Sequence, residues 1–330
     1  MLHGCGLVMD AAELVYPIMP DLPDQLEVIC RHEALHVGVL EDPAPPFVFP
    51  TMRTERGLRV TGLDIELVQA IAAALSKHCG RPIAATPRAL SFEDLFLELT
   101  EGKLDLFVSG KAANVPHLTA TGLGYSTPYF TDTGIVAIAR RPEVAERVRA
   151  AIRRHSPNGA SVEAREAALS GLALAVHEGR SPHLYALTRL EGIRLVTCET
   201  LAPAFDSQDP SFDIILAKEA IARFYLSGRS RQGQEDRDWQ PIVLENGEPL
   251  LLTREFYAIA MAETNYQLRW LVNDVLFELE RSGRLADMRR RWFDPTYVSS
   301  ERARAEGLLC PTCQESQPAQ HGRCRWASVQ

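Results

Sequence analysis

The sequence of 330 residues contains no long apolar run and no excess of positive charge. A helix needs about 20 consecutive apolar residues to cross a bilayer, and the longest uncharged apolar stretches, such as 172–176 and 214–217, are far shorter. Lysine and arginine number 35 against 43 aspartate and glutamate residues, which gives a net charge of -8. Since affinity for nucleic acid depends on clustered basic residues, the sequence predicts neither a transmembrane span nor a nucleic-acid partner.

Several catalytic and targeting signatures are absent as well. The sequence has no nucleophile elbow, no glycine-rich phosphate loop and no His-Glu-x-x-His motif. Its amino terminus lacks a basic start followed by an apolar run, so no signal peptide is predicted. Only Leu2-His3-Gly4-Cys5 is similar to the cleavage end of a bacterial lipoprotein signal, a pattern that would carry meaning if the true start lay upstream.

What is present is an ordinary globular composition, with 46% hydrophobic and 24% charged residues. These values lie within the range of soluble folded proteins and argue against wholesale disorder. At about 150 residues per domain, the length predicts two domains.

The first part of the chain alternates strand and helix patterns. Residues 35–40 form a short β-rich run, and apolar residues recur with helical spacing over 63–75. A strand at 82–86, a helix at 92–99 and a strand at 104–108 follow. This alternation is typical of a mostly parallel sheet with helices on its faces.

A change of composition near Arg140 predicts a boundary, and residues 141–250 have the pattern of a second α/β unit. The chain then continues with a strand at 256–261 and a long amphipathic helix at 266–280. Beyond Pro295 it is polar and predicted to be poorly ordered.

Eight short motifs, in this order and spacing, resemble those of the bacterial extracellular solute-binding proteins of family 3, the amino-acid-binding type. Any one of them is weak by itself, but eight in sequence order are not coincidental. The motifs are Pro45-Pro46-Phe47, 62–67, 101–105, 125–129, Gly179-Arg180-Ser181, 212–215, 257–260 and Trp292-Phe293.

The resemblance implies an α/β, two-lobed type II periplasmic-binding fold, in which each lobe is a mostly parallel sheet flanked by helices and two crossovers form the hinge. Lobe 1 would comprise 34–139 plus 253–297, and lobe 2 would comprise 140–252. Residues 1–33 would be an N-terminal extension and 298–330 a flexible, cysteine-containing tail.

The same resemblance implies a function. Members close their lobes around a small ligand for ABC-type uptake through a membrane permease. They work outside the cytoplasm, so we expect a periplasmic or lipid-anchored monomer that needs no cofactor.

The residues that bind the amino-acid ligand in this family differ in this sequence. The arginine that grips the ligand carboxylate corresponds to His117, and Asn114 stands where the family has threonine. The aspartate that holds the ligand ammonium corresponds to Lys218, with Glu219 beside it. A lysine cannot replace aspartate as a partner for ammonium. The family's usual recognition of both the carboxylate and the ammonium of an amino acid is therefore lost.

Two interpretations of the cleft stay open. In one, the ligand is an anion held by Arg180, Lys218 and the helix N-terminus at Ser181, since free N–H groups and the helix dipole favour negative charge. In the other, Lys218 points into solvent and Glu219 faces the cleft. Phe47 would be either an aromatic wall over the ligand or a hydrophobic anchor.

An enzyme is the alternative function. Cyclohexadienyl dehydratases, which act on prephenate and arogenate, share this fold, and a cationic cleft suits such anions. Glu219 or His117 would then be the general acid. A sensory solute-binding domain is a third hypothesis, because its cleft would have the same sequence features as that of a transport protein.

Four soft metal ligands lie near the end of the chain. Cys310, Cys313, His321 and Cys324 are of the kinds that zinc takes, although their spacing matches no standard zinc finger. Disulfides or idle thiols are the competing interpretation, and an oxidising compartment favours disulfides.

Overall fold

The computed structural model describes residues 25–41, 44–55, 57–108, 122–156, 161–206, 211–231, 239–298, 300, 303, 307–313 and 324–326. Within them the chain forms two main sheets, each flanked by helices. We call the part around the first sheet lobe 1 and the part around the second sheet lobe 2. No helix in these ranges is long and apolar enough to span a membrane.

Lobe 1 and the first hinge strand are built in chain order from α1 (Gln25–His32), β1 (Ala34–Leu40), β2 (Phe49–Thr54), β3 (Gly57–Thr61), α2 (Leu63–Cys79), β4 (Ala84–Leu90), α3 (Phe92–Thr100), β5 (Leu106–Phe107), β6 (Leu123–Tyr125) and β7 (Phe130–Thr133). Lobe 2 follows with β8 (Ile135–Ala139), α4 (Pro142–His155), α5 (Val162–Ala167), β9 (Ala173–His177), α6 (Ser181–Arg189), β10 (Arg194–Cys198), α7 (Ala202–Asp206), β11 (Ile214–Lys218), α8 (Glu219–Arg231) and β12 (Gln240–Pro241). The chain then forms β13 (Glu255–Tyr257), β14 (Ala260–Ala262), α9 (Tyr266–Arg281), α10 (Arg284–Trp292), α11 (Pro295–Val298), β15 (Leu308–Cys310) and β16 (Cys324–Trp326).

The sheet of lobe 1 has the order β4-β1-β5-β14-β6. Strand β1 pairs in parallel with β4 and β5, whereas β14 is antiparallel to both of its neighbours. Helix α2 packs on this sheet because its apolar residues, among them Leu67, Ile71 and Leu75, recur on one side and are buried. The helical spacing in the sequence is therefore confirmed.

The sheet of lobe 2 has the order β12-β8-β11-β9-β10-β16. Its central strands β11, β9 and β10 are parallel. Strands β9 and β11 are buried at every position but the last. Such continuous apolar runs are expected where both faces of a sheet are covered.

Two chain passages join the lobes through the short antiparallel pair β7–β13, in which Thr133 lies opposite Glu255. The turn between β7 and β8 contains Gly134, and a Cβ at this position would collide with the carbonyl oxygen of Thr253 on the other passage. The Ile135 amide donates to Thr253 Oγ1 at 2.8 Å. The two passages therefore lie in direct contact at the hinge.

The structure corrects three boundaries expected from the sequence. Strand β8 pairs with β11 in lobe 2, so the chain leaves lobe 1 before Ile135 and not after residue 139. Helix α1 lies inside the expected extension 1–33, yet it packs on lobe 1 through Leu26 and Ile29 and is bonded to α2 by the Cys30–Cys79 disulfide. The expected flexible tail contains two paired strands, β15 and β16.

Phe47 belongs to the core of lobe 1 and the hinge. Its side chain is fully buried and makes edge contacts with the rings of Phe130, Tyr257 and Phe293 at centroid distances of 5.2 to 6.0 Å. The interpretation as an aromatic wall over the ligand is therefore wrong, and the hydrophobic anchor is confirmed.

Replacing this ring tests its role. We expect Phe47→Ala to lower the free energy of unfolding by about 3–5 kcal/mol, because it removes a buried ring and leaves a cavity. Phe277→Ala is the control, since that ring is 62% exposed and its loss should change stability by less than about 0.5 kcal/mol. Urea unfolding followed by circular dichroism measures both. Equal effects of the two variants would contradict the core assignment.

Candidate functional site

The candidate site lies where the carboxyl ends of β9 and β11 face lobe 1. In open α/β sheets ligands bind at this edge, because the loops that follow parallel strands meet there. Strand β11 ends at Lys218, and β9 leads through Gly179 and Arg180 to the N-terminus of α6. From lobe 1 and the hinge, the same region is approached by the start of α2 and by β13.

Lys218 lies inside the cleft between the lobes. It pairs with Ile135 at the hinge end of β8, and its Nζ lies 5.0 Å from the centroid of the Tyr257 ring. Burial lowers the pKa of Lys218; Glu255 opposes the change, Arg180 adds to it and Asp64 opposes it. The interpretation in which this lysine points into solvent is therefore wrong.

Arg180 precedes the first turn of α6 as its N-cap residue. Burial lowers the pKa of Arg180, and the charge of Glu41 at the end of β1 in lobe 1 opposes this. Arg180 also lowers the pKa of Lys218, so these two cations are close enough to repel each other. The structure thus brings together two of the cationic residues predicted from the sequence.

Ser181 is the first residue of α6 and is partly buried. Its Oγ is buried and has no hydrogen-bond partner among the described residues. The amide of Gly179, just before it, donates to Nδ1 of His183 at 3.0 Å. A hydroxyl and a helix N-terminus at one place favour a negatively charged group.

Two carboxylates that the sequence analysis did not assign to the cleft also face Lys218. Glu255 is 5% exposed. Its Oε1 accepts from Thr253 Oγ1 at 3.0 Å, and its Oε2 has no hydrogen-bond partner within the described ranges. Asp64 lies fully buried in the first turn of α2. Both carboxylates raise the pKa of Lys218, so the cleft contains charges of both signs.

The placement of Asp64 depends on a glycine. The N-cap of α2 is Gly62 with φ of 133°, and a Cβ there would collide with the carbonyl oxygen of Phe47. The Asp64 amide donates to the same oxygen at 3.1 Å. This close contact seats the start of α2 against the hinge. Asp64 is the second residue of α2 after the N-cap Gly62.

Glu219 has a different environment from Lys218. Its carboxylate pairs with Arg223 at 3.0 Å within α8, and its amide donates to the carbonyl of Gly134 at 2.8 Å. It borders a hollow of about 400 Å³ that is also lined by arginine and phenylalanine side chains. Glu219 is thus occupied by a local ion pair and is not among the charges that act on Lys218.

The remaining predicted residues divide into two groups. Asn114 and His117 lie outside the described residues, so their placement stays a prediction. The cysteines do not form the four-ligand metal arrangement: Cys310 is bonded to Cys313, and Cys324 to Cys198. His321 lies outside the described residues, and the described ranges contain no group of three metal-ligating side chains.

The pH dependence of stability tests the environment of Lys218. The pKa of Lys218 is lowered from 10.5 in the folded protein, so between the folded and unfolded pKa values the unfolded chain binds the extra proton and the free energy of unfolding rises with pH. We expect Lys218→Met to flatten this rise between neutral pH and about 10.5. Urea unfolding at a series of pH values measures it.

Lys103→Met is the matched control, because Lys103 is exposed and its pKa is raised by its hydrogen bond to Glu101. That variant should leave the slope below about pH 10 unchanged. Parallel curves for the wild type and Lys218→Met would contradict the buried position of this amine.

Comparison with known proteins agrees with this architecture. The sequence profile of the bacterial extracellular solute-binding proteins, family 3, matches residues 35–295. A search of the curated proteins finds no match.

Solved structures with the same fold include a mutant of ArgBP from T. maritima, with 24% identity, a TM-score of 0.56 and coverage of 81% of this chain and 98% of that one. An amino acid ABC transporter substrate-binding protein from Streptococcus pneumoniae bound to L-arginine has 20% identity, a TM-score of 0.59 and coverage of 81% and 97%. The ancestral amino-acid-binding protein AncCDT-1, a precursor of cyclohexadienyl dehydratase, has 20% identity, a TM-score of 0.59 and coverage of 82% and 100%.

At these identities the structural likeness establishes the fold, and the predicted two-lobed type II periplasmic-binding fold is confirmed. The profile match covers most of the chain and includes both lobes and the hinge. This protein therefore belongs to family 3 of the bacterial extracellular solute-binding proteins.

Proposed function

We propose that this protein binds a small anionic ligand between its lobes and delivers it to a membrane permease for ABC-type uptake. The observation that carries the proposal is the placement of two cations, Lys218 at the end of β11 and Arg180 at the N-cap of α6 after β9, at the carboxyl edge of two neighbouring parallel strands. An anionic ligand beside these two cations would favour their charged forms, in addition to the effect of the nearby carboxylates Glu255 and Asp64.

The chemistry of the pair indicates which anion fits. A guanidinium binds a carboxylate or a phosphate with two parallel hydrogen bonds, whereas an ammonium acts as a compact charge. Ser181 and the N-terminus of α6 would add a hydroxyl and a favourable dipole. Carboxylates with a second polar group and phosphorylated metabolites are the classes that best satisfy these donors.

An amino acid is the second class of ligand, and a specific observation favours it. Glu255 Oε2 is buried without a hydrogen-bond partner among the described residues, and an ammonium group is a suitable partner for such an oxygen. A structural relative from Streptococcus pneumoniae was solved with bound L-arginine. The ligand of this chain would then offer its carboxylate to Arg180 and its ammonium to the side of Glu255.

Lobe closure is the expected mode of binding, because a ligand that contacts both lobes favours the closed state. Several contacts already cross between the lobes. The guanidinium carbon of Arg223 in α8 lies 4.6 Å from the ring centroid of Phe293, which follows α10, and Ala220 packs with the core of lobe 1. A ligand beside Lys218 would add to this same set of contacts.

We infer an extracytoplasmic location. The described residues contain the three disulfides Cys30–Cys79, Cys198–Cys324 and Cys310–Cys313. Disulfides form and persist in oxidising compartments and are rare in the cytoplasm. The family to which the chain belongs is named for its extracellular members.

Dehydratase activity is the alternative, since one relative with this fold is a precursor of cyclohexadienyl dehydratase. Of its two expected general acids, Glu219 is held in an ion pair with Arg223 and His117 lies outside the described residues. A sensory role is the third reading and would use the same cleft.

A ligand screen followed by substitutions tests the binding proposal. A ligand bound only by the folded state raises the melting temperature by mass action, so the purified protein is screened against the twenty amino acids, di- and tricarboxylates, phosphorylated metabolites and prephenate. We expect the largest shifts from carboxylates or phosphates. A response confined to neutral amino acids would contradict the anion proposal.

With the ligand that gives the largest shift, we expect Arg180→Ala and Lys218→Ala each to weaken affinity by about tenfold to a hundredfold, the range for loss of a charge-assisted hydrogen bond. Calorimetric titration measures the dissociation constants. Arg281→Ala is the control, because that arginine is 64% exposed and pairs only with Glu278 on the surface of α9 among the described residues. Unchanged affinity in both cleft variants would contradict the proposed site.

Incubation with prephenate and with arogenate tests the enzyme. We expect no aromatic product by ultraviolet absorbance, since the only described candidate acid is engaged by Arg223. Catalytic turnover that is lost in Glu219→Gln would instead establish the dehydratase.

A further inference from the structure

The end of the chain returns to lobe 1 before it reaches lobe 2. Strand β15 extends the β2–β3 pair of lobe 1, with Leu308 opposite Val60 and Cys310 opposite Leu58. The amide of Ala89 at the end of β4 donates to Thr312 Oγ1 at 3.0 Å. Residues 307–313 are therefore anchored in lobe 1.

Strand β16 is anchored in the other lobe. It forms the edge of the lobe 2 sheet and pairs antiparallel with β10, with Cys324 opposite Cys198. A disulfide joins these same two cysteines, and the guanidinium carbon of Arg194 lies 5.7 Å from the centroid of the Trp326 ring. The described residues near the end of the chain are thus anchored in both lobes, 307–313 in lobe 1 and β16 in lobe 2.

Strand β16 also contacts the loop that carries Arg180. Arg325 donates from Nη2 to both carboxylate oxygens of Glu178, each at 3.0 Å. The amide of Glu178 donates to the carbonyl of Cys198 at 2.9 Å. Both the backbone and the side chain of Glu178 are therefore held by the β10–β16 pair, two residues before Arg180.

The disulfide determines whether these contacts persist. An exposed ion pair contributes little by itself, and Glu178 and Arg325 are 42% and 67% exposed. A strand of 3 residues at the edge of a sheet makes too few hydrogen bonds to stay paired unaided. The covalent bond keeps Arg325 next to Glu178 at a high effective concentration.

We propose that β16, through Cys324 and Arg325, is a positioning element of the ligand site that fixes the loop 178–180 and hence the guanidinium of Arg180. The inference rests on the proposed function in one respect, that Arg180 contacts the ligand. Neither Cys324 nor Arg325 touches the ligand; both act through Glu178.

Hydrogen exchange of the ligand-free, full-length protein tests the proposal, because two amides of the loop report on its order. Gly179 donates to His183 Nδ1, and the amide of Arg180 donates to the His177 carbonyl at 3.3 Å. Exchange is followed by mass spectrometry on peptides that span residues 178–184. We expect Arg325→Ala to accelerate it by up to about fivefold, and Cys198→Ser with Cys324→Ser by more than about tenfold.

Two controls separate positioning from general destabilisation. Arg141→Ala removes another exposed ion pair of lobe 2, with Asp213 at 3.1 Å, and Cys30→Ser with Cys79→Ser removes the disulfide of lobe 1. Neither should alter exchange in residues 178–184. The double variant Glu178→Arg with Arg325→Glu swaps the two charges and should restore slow hydrogen exchange. It would not do so if Arg325→Ala acted only through a loss of packing.

Unchanged exchange in Arg325→Ala, or acceleration spread evenly over lobe 2, would overturn the proposal. If the double cysteine variant does not fold, Arg325→Ala and the charge-swapped double variant still test the proposal. The hydrogen-exchange measurement needs no ligand, whereas the ligand screen tests the proposed function. A negative result for the positioning role of β16 is therefore distinguishable from a negative result for ligand binding.

Discussion

The contact between the two hinge passages is the constraint on which the rest of the structure depends. Gly134 leaves no room for a side chain against the carbonyl of Thr253, and the next residue, Ile135, donates its amide to the hydroxyl of Thr253. This contact fixes where β8 starts in lobe 2 and where β13 starts beside lobe 1. Lys218, opposite Ile135, and Glu255, opposite Thr133, therefore meet at the base of the cleft.

The base of the cleft contains charges of both signs. Burial is the main cause of the lowered pKa of Lys218, Glu255 and Asp64 oppose this change, and Arg180 adds to it. A shifted pKa of a buried group next to a specific charge partner is common at functional sites.

The sequence predicted the fold well because its signals are local and repeated. The helical spacing in α2 and the apolar runs at β9 and β11 can be recognised without reference to distant residues. The order of the motifs predicted the two lobes. The sequence did not predict the boundary at β8, because an apolar strand has the same sequence pattern in either sheet. Strand β16 was missed because 3 residues carry no periodicity, and its place depends on Cys198, which is 126 positions away.

The candidate site was predicted only in part, for a related reason. Arg180 and Lys218 stand at motif positions, so counting along the sequence found them. Glu255 and Asp64 act on Lys218 only because the hinge and the start of α2 converge in space, and no spacing in the sequence encodes that. The role of Phe47 was open until its three aromatic neighbours were known.

The position of β14 determines the order in which the molecule can be completed. Lobe 2 is nearly contiguous in the chain, from β8 to β12, whereas β14 is an inner strand of the lobe 1 sheet, between β5 and β6. The first sheet therefore lacks an inner strand until the part of lobe 2 from β8 to β12 has been synthesised. Closing so long a segment costs conformational entropy before its contacts form. During synthesis at the ribosome, the part of lobe 2 from β8 to β12 can thus become compact while the lobe 1 sheet still lacks β14.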